Sequence, residues 1–126
     1  MKSFLKVLLL GALFQSALAL AAGQPFTQAQ FDALTQEGKP VIVHVHATWC
    51  PTCKVQDPIL SELMKSPEFG NVTLLEVDFD KQKDILKEFN VSMQSTLIAF
   101  KGGKEQARST GDTKQPSIEV LSRKVL

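Results

Sequence analysis

Val41-Ile42-Val43-His44-Val45-His46-Ala47-Thr48-Trp49-Cys50-Pro51-Thr52-Cys53-Lys54 is the stretch that decides the fold. Its first half is a β-branched run, which reads as a buried strand. Its second half sets Pro51 directly after Cys50, where proline suits the first turn of a helix. A cysteine at a strand-to-helix junction has a chemical logic. The unpaired N–H groups of the first turn point at its sulfur, and the helix dipole favours negative charge there. Both favour thiolate over thiol. Cys53 lies one turn further on and can close a small disulfide ring with Cys50. Cys50 is therefore expected to be the nucleophile and Cys53, expected to be the more buried thiol, to resolve the mixed disulfide.

Two other uses of the pair compete with this one. A structural disulfide across so short a loop restrains little of the unfolded chain. A zinc site needs four ligands, and the chain has only two cysteines.

Outward from the dithiol, the rest of the chain supplies a small α/β domain. Upstream, Thr27 and Gln30 have capping-box spacing, and Phe26 and Phe31 hold the hydrophobic-staple positions around them. That helix should run through Leu34 and stop at Gly38. Downstream, Ile59, Leu60, Leu63 and Met64 give the helix after Cys50 an apolar stripe. Pro58 inside it should kink it, at a cost of ~3 kcal/mol. Val72 to Asp78 reads as a second strand and Lys81 to Phe89 as a helix. Thr96–Phe100 and Glu105–Thr110, joined through Gly102-Gly103, read as a hairpin. A helix from Pro116 to Leu126 closes the chain. The order α-β-α-β-α-β-β-α predicts a mixed central sheet of about four strands with helices on both faces.

The N-terminus reads differently. Lys2 and Lys6 precede an apolar stretch that ends in small residues, and Ala17-Leu18-Ala19 and Ala19-Leu20-Ala21 both fit a cleavage site. Residues 1–22 are expected to be a cleaved secretory signal peptide and 23–126 a single domain. An uncleaved membrane anchor over Val7 to Ala22 is the other reading. Cleavage leaves 104 residues with a formal charge of −1. Nothing in that balance, and no basic face, points to nucleic acid. The expected location is extracytoplasmic, most simply a periplasm, which is an oxidising setting.

Ala47-Thr48-Trp49-Cys50-Pro51-Thr52-Cys53-Lys54 resembles the active-site segment of the thioredoxin family. Pro58 matches that family's helix-kinking proline, and Phe100-Lys101-Gly102-Gly103-Lys104 looks like its edge hairpin. Gly111 falls where the family has a glycine before its last helix. The resemblance covers the chain from Phe26 onward, with the family's first strand missing or very short. It implies a protein-disulfide oxidoreductase with no cofactor beyond the Cys50–Cys53 disulfide. It also implies disulfide-containing protein substrates, a membrane electron donor or other redox partner, and a monomer. Trp49, Pro51 and Thr52 belong to its active-site shell. Direction is expected to be reductive, because 104 residues leave no room for the inserted helical domain of dedicated periplasmic oxidases.

Three positions depart from the family. His44 aligns with a buried acid behind the resolving cysteine, and His44 and His46 share one strand face. His44 is either a general base for the Cys53 proton or a neutral core histidine. His46 stands where many thioredoxins have tryptophan, and either packs by the dithiol or hydrogen-bonds Asp78. Gln94-Ser95 aligns with the loop that carries the family's cis-proline facing the dithiol. Either this bond is cis, at ~2.5–4 kcal/mol, or the loop has relaxed to trans. The Ser95 hydroxyl is then within reach of the Cys50 thiolate. A metal-binding or substrate-holding module, using Cys50 and Cys53 with His44 or His46, is the alternative to an enzyme.

Overall fold

The computed structural model describes residues 23–126. The expected signal peptide, 1–22, lies outside the described residues. Among those described, no helix is long and apolar enough to cross a bilayer.

The elements follow the expected order with one addition. They are β1 (Gln24–Pro25), α1 (Gln28–Gln36), β2 (Pro40–His46), α2 (Pro51–Lys65), β3 (Thr73–Asp78), α3 (Lys83–Glu88), β4 (Thr96–Lys101), β5 (Lys104–Thr110) and α4 (Gln115–Arg123). A 3-10 turn over Pro67–Phe69 links α2 to β3. The sheet has five strands in the order β1-β3-β2-β4-β5. The fifth is β1, a two-residue strand parallel to β3 that carries no alternating pattern to be read. β2 pairs β3 in parallel, while β4 and β5 add antiparallel strands.

Side-chain alternation along β2 splits the core in two. Val41, Val43 and Val45 point to the face that also buries Phe26, Phe31, Leu86 and Phe100. Ile42 points to the other, with Leu60 from α2 and Ile118 and Leu121 from α4. By the same alternation His44 and His46 lie on the α2 face. On the first face Phe26 and Phe31 stack with centroids 5.5 Å apart, which is the expected staple. Thr27 caps α1, its Oγ1 accepting from the Gln30 N–H (3.2 Å). The box does not close, however. Gln30 Nε2 donates to Gln24 Oε1 instead of turning back to Thr27 (2.6 Å).

Candidate active site

Cys50 is the N-cap of α2 and Pro51 opens its first turn. Cys50 and Cys53 are joined by a disulfide, with Cα atoms 5.3 Å apart. The Cys53 N–H donates to Cys50 Sγ (3.1 Å), so a first-turn amide is aimed at that sulfur as the sequence required. The expected difference in burial is absent. Both cysteines are fully buried in the disulfide form, alongside Ala47 and with Phe79 packed against them.

Trp49 is half-exposed beside them, and Thr52 sits on the first turn of α2. The Trp49 indole N–H donates to Asp80 Oδ2 (2.8 Å), and its ring meets Phe79 edge-on. That bond ties the residue before Cys50 to the loop after β3. Asp80 is therefore used as an indole acceptor. Asp78 accepts from the N–H groups of Asp80 and Lys81.

The loop before β4 has taken the relaxed alternative. No peptide bond among the described residues is cis, and Ser95 has φ +60°, in the left-handed region. Its N–H donates to the Val45 carbonyl (2.7 Å) and its carbonyl accepts from the Gly111 N–H (3.0 Å). The Ser95 side chain corrects the sequence expectation. Its hydroxyl donates to the Gln94 carbonyl (2.5 Å) and is not turned to Cys50. The Val45 carbonyl is shared, since Cys53 Sγ lies 3.9 Å from it. One strand carbonyl thus contacts both Cys53 and the loop before β4.

Behind Cys53 lies a polar cluster that sequence reasoning found only in part. His44 is fully buried, and its Nε2 is 2.9 Å from Gln56 Oε1. Gln56, also fully buried, donates from Nε2 to the carbonyls of Ser95 (3.1 Å) and Asp112 (2.8 Å). Burial holds the His44 pKa down at about 4, only partly offset by the Gln56 hydrogen bond and the charge of Asp57. His44 is therefore neutral near neutral pH. His46 does not bond Asp78. Its Nε2 is 3.1 Å from Asp57 Oδ2 and its Nδ1 3.4 Å from Glu76 Oε1. Register does not account for the change, because Asp78 is the sheet partner of His46 and Glu76 that of His44. Burial, with Asp57 and Asp78 nearby, raises the Glu76 pKa against the opposing pull of His46.

Gln56 and Asp57 are the residues the sequence reading missed. A signal existed: they follow Cys53 by three and four positions, and such residues share a helix face with it. One cluster among the described residues could hold a metal, and it consists of His44, Asp57 and Glu76. It includes neither cysteine, nor His46.

A buried Cys-x-x-Cys disulfide at a strand-to-helix junction of a mixed sheet defines a redox class built on thiol–disulfide exchange. Sequence and structural comparisons give the family. The thioredoxin family profile matches residues 23–123. Thioredoxin Asp f 29 of Aspergillus fumigatus is 36% identical over 91 residues, 71% of this chain and 82% of that protein. Mitochondrial thioredoxin of Mus musculus is 32% identical over 95 residues, 75% of this chain; the chain spans only 57% of that longer protein. The crystal structure of Trxlp from Edwardsiella tarda superposes with a TM-score of 0.76 at 40% identity, covering 79% of this chain and 97% of that one. The chain belongs to the thioredoxin family. Members of that family are disulfide oxidoreductases that work through their own redox-active disulfide and need no further cofactor.

Proposed function

We propose that this chain is an exported thiol–disulfide oxidoreductase that reduces disulfides in extracytoplasmic proteins. The observation that carries the chemistry is the Cys53 N–H aimed at Cys50 Sγ from the first turn of α2. A thiolate at this position gains a hydrogen bond and the field of a helix terminus. The Cys50 thiolate attacks one sulfur of a substrate disulfide, forming the mixed disulfide and releasing one substrate thiol, which takes up a proton. Cys53, once deprotonated, attacks Cys50 Sγ, frees the second substrate thiol and leaves the Cys50–Cys53 disulfide. Substrate gains two electrons and the protein loses two. A membrane electron donor returns them, because an oxidising compartment offers no reduced thiol pool.

In this reading His44 accepts the Cys53 proton. Its Nε2 is committed to Gln56. Nδ1 is the ring's free acceptor, and it opens toward the partly exposed Asp57. A water entering there relays the proton. Export rests on the N-terminal pattern of Lys2, Lys6 and the apolar stretch that follows. The reductive direction rests on a domain with no inserted helical unit.

Mixing Cys53→Ser with a disulfide-bonded protein tests the proposed roles. The product expected by mass spectrometry is one covalent complex through Cys50, reversed by added dithiol. Trapping through Cys53 in Cys50→Ser instead, at an equal or greater rate, would contradict the assignment.

A further inference from the structure

Gln56 fixes the protonation of His44. Both hydrogens of its amide go to carbonyl oxygens, those of Ser95 and Asp112, which only accept. Its Oε1 is left to face His44 Nε2, so that nitrogen carries the ring's proton. A neutral imidazole has only one, and His44 Nδ1 is then a bare lone pair. It faces Asp57 Oδ1 at 3.7 Å, too far for a hydrogen bond. His44 Nδ1, Asp57 Oδ1 and Glu76 Oε2 are all buried acceptors with no donor. Such groups cost free energy unless something positive lies among them. His46 covers only the outer oxygens, Asp57 Oδ2 and Glu76 Oε1.

We propose that His44, Asp57 and Glu76 form a binding site for one zinc-like divalent cation, separate from the dithiol. Each supplies one ligand atom, and these atoms lie within 4.8 Å of one another. In a tetrahedral site, metal–ligand bonds of about 2.0–2.2 Å set ligand atoms ~3.3–3.6 Å apart, so side-chain movements of up to roughly 1 Å complete the site. One imidazole nitrogen with two carboxylates suits a borderline metal better than a hard one such as magnesium. Metal ligation takes the ring nitrogen that carries no proton, which Gln56 has already selected, so a bound ion and proton acceptance by His44 exclude one another. Access is available from one side. His44 is closed off at the base, while the Asp57 and Glu76 side chains are 24% and 21% exposed. The ligands come from β2, α2 and β3, so the ion would pin the active-site helix to the sheet.

Zinc chloride titrated by calorimetry into the untagged full chain, with its disulfide intact, tests the proposal. Neither cysteine can ligate in that state. A single saturable site is expected, accompanied by a rise in Tm that a chelator reverses. Asp57→Asn and Glu76→Gln remove the ligand charge at nearly constant shape. Each should weaken binding at least ~10-fold, and Tm measured without zinc verifies that each folds. No binding by the oxidised chain would overturn the proposal. So would binding that appears only after the disulfide is reduced, or binding that both variants retain, which would mark an adventitious ion only.

Discussion

Ser95 holds its backbone in a region that most side chains avoid. Two hydrogen bonds keep it there: its N–H to Val45 and its carbonyl from Gly111. Proline fits neither demand, since its φ is fixed near −65° and it has no N–H. Ser95→Pro, which would bring the chain closer to the pattern of its family, is therefore expected to lower stability by about 2–4 kcal/mol in denaturant unfolding. Unchanged stability would mean that the loop adopts another backbone path. His44 makes a second prediction. Its pKa is lowered in the fold to about 4 from the ordinary 6.5, so the unfolded chain binds the extra proton between those values. Folding stability from this group is complete above pH ~6.5 and falls as pH drops toward ~4. The raised Glu76 pKa acts with the opposite sign, which makes the difference between wild type and His44→Gln the quantity to measure. That variant should show a shallower rise of Tm across the window and a changed pH profile for disulfide exchange. An identical exchange profile would remove the proton-acceptor role.

The strand-to-helix unit, β2 running into α2, was legible in the sequence because each part has a local cause. Val41 to Val45 is β-branched, Pro51 favours a helix start, and a cysteine at the cap needs no tertiary partner to be recognised. The Phe26–Phe31 staple was legible for the same reason. Four rings meet there, with Phe89 and Phe100 each 5.2 Å from Phe31 in edge contacts. Phe31→Ala should cost about 3–5 kcal/mol, seen as a lower midpoint in urea. A cost below ~1 kcal/mol would mean that α1 is not anchored through this ring. What the sequence concealed depends on pairing between distant segments. β1 is two residues long and exists only through β3. Asp78, which the sequence offers for His46 as the alternative to packing by the dithiol, is its register partner in the sheet. Pairing along the backbone does not decide side-chain contact, and the ring turns to Asp57 and Glu76 instead.

Taken together, the molecule is a five-stranded mixed sheet whose α2 face is apolar at one end and polar behind the dithiol. Its relatives share the fold, and in this chain the dithiol is accompanied by His44 with Gln56 and by Ser95 in a trans loop. Exchange chemistry fixes no direction by itself, for ~30 mV corresponds to only ~1.4 kcal/mol. The central claim, a reducing dithiol at Cys50 and Cys53, is thus a claim about a potential. Trp49 is the only tryptophan in the chain and adjoins Cys50, so its fluorescence reports the state of the pair. Titrating that signal against defined ratios of reduced and oxidised glutathione should give a two-electron transition nearer to about −270 mV than to about −120 mV. A potential near the oxidising value, or no two-electron transition at all, would contradict the account.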